Sequence, residues 1–117
     1  MTITRIKSNQ RMSQMVVHGN VAYSAGQVAQ RAPGQSVTAQ TEDILNAIDE
    51  LLSEAGTDKS KLLTATIWIT NMDDFAEMNA VWDAWVSPGN APTRACVESR
   101  LATPDFDVEI MVTAAID

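Results

Sequence analysis

Residues 62–86 read LLTATIWITNMDDFAEMNAVWDAWV, and their hydrophobic pattern changes from a period of two to a period of about 3.6. Residues 62–70 predict a strand. One side of this strand carries Leu63, Ala65, Ile67 and Ile69. The other side carries Thr64, Thr66, Trp68 and Thr70. Residues 73–86 predict a helix whose apolar stripe contains Phe75, Met78, Trp82 and Trp85. The sequence Ser87-Pro88-Gly89-Asn90 ends that helix, since proline and glycine disfavour its continuation.

A second helix is predicted upstream, over residues 36–56. Its apolar face is formed by Ile44, Leu45, Ile48, Leu51, Leu52 and Ala55. Ser36 or Thr38 is a suitable N-cap, because a hydroxyl accepts a hydrogen bond from the first turn. Gly56 stands where a helix ends in the left-handed conformation that glycine tolerates.

The rest of the chain predicts strands. They fall at residues 2–6, 15–17, 21–23, 93–98 and 106–114. The second and third flank His18-Gly19-Asn20, which suits a hairpin turn because glycine supplies the positive φ that such turns require. The element order is therefore β-β-β-α-β-α-β-β. It predicts an α+β fold, a two-layer sandwich with two helices on one face of a mixed six-stranded sheet, as a single domain over residues 1–117.

Two helices cover only one face of that sheet. The other face is expected to carry Thr66, Trp68, Cys96, Met111 and Thr113. This set is too apolar to stay hydrated over a whole sheet, so we expect a partner subunit to cover it.

Composition excludes several classes of function. The chain has 117 residues and a net charge of −7, which argues against binding to nucleic acid. One cysteine and one histidine make a disulfide framework or a zinc site improbable. No apolar run reaches the roughly 20 residues of a membrane helix, and the first residues carry no signal-peptide core. We therefore expect a cytoplasmic protein without a metal or membrane partner.

Arg94 is the leading candidate for chemistry. It follows Ala91-Pro92-Thr93 at the start of a strand, which gives its side chain a fixed base at the rim of the sheet. A planar guanidinium there suits a small carboxylate, which it binds through two parallel hydrogen bonds. The alternatives are a surface arginine and an ion pair with Glu98.

Three more side chains near the predicted sheet are candidates. Glu109 lies in the middle of a strand, where a carboxylate either faces water or is held by a partner. A desolvated carboxylate there suits a residue that orients or deprotonates a water. Cys96 shares a strand face with Arg94, and we interpret it as a small buried filler since no base is tied to it. Asn79 lies beside the apolar stripe of the second helix and either bridges backbone groups or reaches a ligand.

Other patterns do not indicate chemistry. Ser13 and His18 lack the nucleophile elbow of a hydrolase, and Gly26 alone makes no phosphate loop. Trp82 and Trp85 are interpreted as anchors of the core or of an interface.

Taken in order, four strings resemble the RidA family, also known as YjgF-type or Rid proteins. They are AGQV at 25–28, DFAEMNAVW at 74–82, APTRACVE at 91–98 and VEI at 108–110. The resemblance extends over nearly the whole chain.

The resemblance implies a chorismate-mutase-like fold and a homotrimer with three clefts at the subunit boundaries. Active members hydrolyse enamines and imines such as 2-aminoacrylate to a 2-oxo acid and ammonia, without a cofactor. By the same resemblance, Arg94 binds the substrate carboxylate, Glu109 positions the attacking water and Asn79 supports the cleft. Backbone groups at Cys96 contact the reacting nitrogen or the water.

The chain departs from the best-known deaminases at two positions. Met12 stands where those members carry a tyrosine that reaches the neighbouring cleft, and Ala25 stands where they carry a serine. Arg11 and Ser13 are the candidates to replace these polar groups. The alternative function is therefore a non-catalytic trimer that binds a 2-oxo acid. The ribonuclease label attached to some relatives fits less well, because RNA binding favours a basic groove.

Overall fold

A computed structural model describes all 117 residues, and its element order confirms the α+β prediction. The strands are β1 (Ile3–Ser8), β2 (Ser13–His18), β3 (Val21–Ser24), β4 (Leu62–Ile69), β5 (Thr93–Glu98) and β6 (Val108–Ala115). The helices are α1 (Val37–Glu54) and α2 (Phe75–Trp85). Short 3-10 turns precede β4 and α2, at Lys59–Lys61 and Met72–Asp74.

The six strands form one mixed sheet in the order β1-β2-β3-β6-β4-β5. Only β4 and β5 are parallel, and every other neighbouring pair is antiparallel. Both helices pack on one face, where the fully buried side chains include Met15, Ile44, Ile48, Leu52, Ile67, Met78 and Ile110. Strand β5 is an edge strand, which leaves one of its sides without a partner in the chain.

The residues predicted for the β2–β3 turn and for the two ends of α1 adopt the expected conformations. Gly19 has a φ of +62° in the β2–β3 hairpin, and the hydroxyl of Ser36 accepts a hydrogen bond from the Ala39 N–H. Ser36 is therefore the N-cap of α1, and Thr38 lies inside the helix. Gly56 follows α1 with a φ of +83°, as predicted for a residue that ends a helix.

Several predicted boundaries are wrong by about two residues, among them the start of β2, which lies at Ser13, and the end of α1, which lies at Glu54. Strand β1 continues to Ser8, and α2 begins at Phe75 because the preceding residues form a separate 3-10 turn. Strand β6 begins at Val108, two residues later than predicted. Asp107 leaves the sheet because its N–H donates to Gln40 Oε1 at 2.8 Å and its carboxylate accepts hydrogen bonds from Gln40 and Thr70.

The predicted sides of β4 are correct except at Leu63. Leu62 is opposite Ala114 while Thr64 is opposite Thr113, so a β-bulge places one extra residue in β4. The bulge reverses the alternation, so Leu62 is buried among the core residues and Leu63 is 43% exposed.

Cys96 does not lie on the uncovered face of the sheet, contrary to the prediction. In the parallel β4–β5 pair it is the neighbour of Ile67, whose side chain is buried under the helices. Cys96 accordingly packs against the core on the helical side. Its strand position alone could not show this, because the face depends on which strand pairs with β5 and in what register.

The uncovered face of the sheet carries Thr66, Trp68, Met111 and Thr113, as predicted. Thr66 and Met111 form one neighbouring pair on it and Trp68 and Glu109 form another. Its exposed apolar side chains include Tyr23, Val97 and Met111. No helix in the chain has the length and apolar character required to span a membrane.

Candidate functional site

Arg94 lies on the edge strand β5 and extends over α2. Its register neighbour is Ala65, which is buried under the helices, so Arg94 lies on the helical side of the sheet. Its Nη1 donates a hydrogen bond of 2.7 Å to Asn79 Oδ1. Its Cζ lies 5.4 Å from the ring centroid of Trp82 and 5.7 Å from that of Phe75. One helix therefore supplies three contacts to this half-buried guanidinium.

No carboxylate of the chain neutralises Arg94. The ion pairs present are Lys7–Glu54, Arg31–Glu50 and Lys61–Asp117. Glu98, the alternative partner considered from the sequence, accepts a hydrogen bond from the Met72 N–H at 2.9 Å. Because an arginine has five N–H donors and one is satisfied by Asn79, donors remain for a ligand.

Cys96 lies on the same side of β5 as Arg94 and is half-buried. Burial raises the pKa of its thiol, and the positive charge of Arg94 opposes that effect only in part. The thiol therefore stays neutral at physiological pH, as its interpretation as a filler requires.

We predict that Cys96 reacts slowly with alkylating reagents. Because its pKa is raised, the thiolate fraction at pH 8 is smaller than in a free cysteine, and the rate should keep rising above pH 9. Iodoacetamide labelling followed by mass spectrometry measures this, with urea-unfolded protein as the control that reacts at the ordinary rate. Cys96→Ala should retain most of any turnover, and labelling as fast in native as in unfolded protein would contradict the prediction.

Glu109 lies on the opposite face of the sheet from Arg94. It is the register neighbour of Trp68 on the uncovered face, near the start of β6. Its carboxylate lies against the Cα of Gly26, so closely that a Cβ at position 26 would overlap it. It borders a cavity of about 530 Å³ whose lining includes Met12, Gln14, Gln27, Val28 and Phe106.

The remaining predicted residues lie on the Glu109 side. Met12 is 41% exposed at the tip of the β1–β2 hairpin, where Asn9 Oδ1 accepts hydrogen bonds from the N–H groups of Arg11 and Met12. Met12 also lines the cavity beside Glu109. Ala25 immediately precedes Gly26, and its N–H donates to the carbonyl of Gln14.

The predicted site residues thus form two groups within one chain. The first group is Arg94, Asn79 and Cys96, which lie where β5 meets α2. The second group is Glu109 and Met12, which border the cavity beside Gly26. Arg94 and Glu109 lie on opposite faces of the sheet. The chain contains no cluster of three metal-ligating side chains.

Sequence reasoning missed two contacts of Arg94. Phe75 and Trp82 were assigned to the core stripe of α2, but Phe75 is 37% exposed and both rings contact the guanidinium. The signal was present as the spacing of Phe75, Asn79 and Trp82, since residues four and seven positions apart share a helix face.

The comparisons with known proteins agree with this architecture. The sequence profile of the family described as Endoribonuclease L-PSP matches residues 2–116. A RutC family protein of Haemophilus ducreyi is 46% identical over 115 residues, which cover 98% of this chain and 97% of that protein. The chain belongs to the family described as Endoribonuclease L-PSP.

Members of the family also share the fold. A crystal structure of a YjgF-family protein from Neisseria meningitidis has a TM-score of 0.96 and 43% identity, and the match covers 100% of this chain and 97% of that one. The resemblance to RidA, or YjgF-type, proteins is thereby confirmed. A more distant relative from Salmonella typhimurium, 28% identical over 82% of this chain and 80% of its own length, is named 2-iminobutanoate/2-iminopropanoate deaminase.

Proposed function

We propose that the chain forms a cytoplasmic homotrimer that hydrolyses small 2-imino acids and their enamine tautomers to 2-oxo acids and ammonia. The observation that carries this proposal is Arg94, a half-buried guanidinium held by an amide and two rings, with no carboxylate partner. Such a cation is suited to the carboxylate of a small metabolite. The relative with a deaminase name supports the choice of reaction.

The separation of the two groups supports a site shared between subunits. In one chain the sheet lies between Arg94 and Glu109, so a small substrate does not reach both. The uncovered sheet face presents Tyr23, Val97 and Met111, and its burial against other copies would remove them from water. In a cyclic trimer the interface is heterologous, so each boundary joins two different surfaces of the chain. We propose that one of these surfaces carries Arg94 and the other carries Glu109.

The chemistry follows from these positions. Arg94 binds the substrate carboxylate, and Glu109 orients a water and accepts its proton as the oxygen bonds to C2 of the imine. Glu109 then returns this proton to the imine nitrogen, which gives a carbinolamine with a hydroxyl and an amino group on C2. Glu109 next takes the hydroxyl proton and passes it to the amino nitrogen. The C–N bond breaks with its electron pair on nitrogen, and ammonia leaves as the C=O bond of the 2-oxo acid forms. Backbone groups at Cys96 face the reacting nitrogen or the water.

The test is the release of ammonia and 2-oxo acid from freshly generated 2-aminoacrylate, 2-iminobutanoate and longer 2-imino acids. We expect acceleration over the uncatalysed hydrolysis in buffer for at least one of them. No acceleration with any substrate would contradict the enzymatic proposal.

A second candidate function is a trimer that binds a 2-oxo acid without turnover. The observation that favours it is the loss of two hydroxyls, because Met12 and Ala25 carry none and the Ser13 hydroxyl is hydrogen-bonded to that of Ser8 at 2.7 Å. Calorimetry with 2-oxobutyrate separates the two functions. Binding that depends on Arg94, together with no imine hydrolysis, would support this candidate.

A further inference from the structure

We propose that Phe75 and Trp82 are positioning residues that, with Asn79, hold the Arg94 guanidinium by uncharged groups only, so that its positive charge stays unpaired for a ligand carboxylate. This inference rests on the proposed function, because it concerns the same carboxylate site. It assigns to α2 a role that the strand residues alone do not indicate.

The Arg94 guanidinium is held by three side chains of α2. Trp82 is 5% exposed and Phe75 is 37% exposed, so the guanidinium lies between a buried ring and a ring at the surface. An aromatic face attracts a cation without neutralising it, and the two rings restrict where the guanidinium lies. Asn79 adds one hydrogen bond of 2.7 Å from its amide oxygen.

Two acidic side chains, Glu77 of α2 and Glu98 of β5, are engaged away from Arg94. Glu77 lies on the same helix, and its Oε2 accepts hydrogen bonds from the N–H and the hydroxyl of Thr38, both at 2.9 Å. Glu98 accepts from the Met72 N–H. These contacts engage Glu77 and Glu98 away from Arg94, and no acidic side chain of the chain, Asp83 of α2 included, forms an ion pair with Arg94.

The test measures the dissociation constant of 2-oxobutyrate by calorimetry and the melting temperature of each variant. Phe75→Leu should weaken binding about 2- to 5-fold, the range that an exposed cation–π contact supplies, and Phe75→Tyr should restore it. Met72→Leu, a change at another exposed apolar side chain in the preceding turn, is the control and should bind as the wild type does.

Asn79→Asp gives the sharper result. It keeps the side-chain shape but places a carboxylate on Arg94, so binding should weaken at least about 10-fold while the melting temperature stays equal or rises. If Asn79 had only a structural role, its substitution would lower the affinity for 2-oxobutyrate only together with the melting temperature.

The outcomes also separate this inference from the proposed function. If Arg94→Ala abolishes binding while Phe75→Leu and Asn79→Asp bind as tightly as the wild type, the positioning role is wrong and the proposed function stands. If Arg94→Ala binds 2-oxobutyrate as the wild type does, the proposed function itself fails.

Discussion

Arg94→Ala is expected to lower kcat/KM for 2-iminobutanoate by about 30- to 5,000-fold, chiefly through KM. The reason is the loss of a charge-assisted pair between the guanidinium and the substrate carboxylate, whose truncation costs about 2–5 kcal/mol. Arg94→Lys should recover only part of the loss, since an ammonium keeps the charge but not the planar fork that binds a carboxylate with two hydrogen bonds. Steady-state kinetics over a range of substrate concentrations measures both parameters.

Arg100→Ala is the matched control, because it removes an arginine that follows β5 and leaves Arg94 in place. It should leave KM close to the wild-type value. An Arg94→Ala variant with unchanged KM would show that this guanidinium does not bind the substrate.

Glu109→Gln is expected to lower kcat by about 100- to 10,000-fold, the range for loss of a general base, with little change in KM. The amide keeps the shape of the side chain, so it still fits against Gly26, but it does not accept a proton from water. Single-turnover measurements of 2-oxo acid formation test this on the chemical step itself.

Glu42→Gln, on the outer side of α1, is the control for the lost charge and should turn over normally. If Glu109→Gln has the wild-type kcat, Glu109 is not the general base, and positioning of the substrate alone accounts for the rate. The two substitutions thus address the two groups of the site through different kinetic parameters.

Much of the fold could be predicted from local patterns. The change from alternation in residues 62–70 to a helical period in α2 sets the element types, and Ser36 and Gly56 mark the ends of α1. These signals are local because hydrogen bonding and side-chain direction in helices and strands repeat with fixed periods.

The wrongly predicted faces of Leu63 and Cys96 depend on how distant strands pair. Leu63 is exposed because of a bulge against β6, and Cys96 faces the helices because β5 pairs in parallel with β4. Neither register can be read from one strand alone. The same dependence hid the contact between Phe75 and Arg94, which requires that α2 lie beside the edge strand.

The candidate site itself could be predicted only as a set of residues. Sequence analysis identified Arg94, Asn79 and Glu109, and the structure shows that Arg94 and Asn79 touch while Glu109 lies across the sheet. No spacing along the chain indicates that separation, because it follows from the way the strands pair.

We claim a cleft that is complete only where two protomers meet, and mixed trimers are its decisive test. Arg94→Ala and Glu109→Gln chains are unfolded together in equal amounts, refolded and assayed for imine hydrolysis. If each boundary takes Arg94 from one protomer and Glu109 from the next, about a quarter of the boundaries receive both intact residues, and about a quarter of wild-type activity returns. Activity no higher than that of the separate variants, in refolded trimers that contain both chains, would contradict the claim.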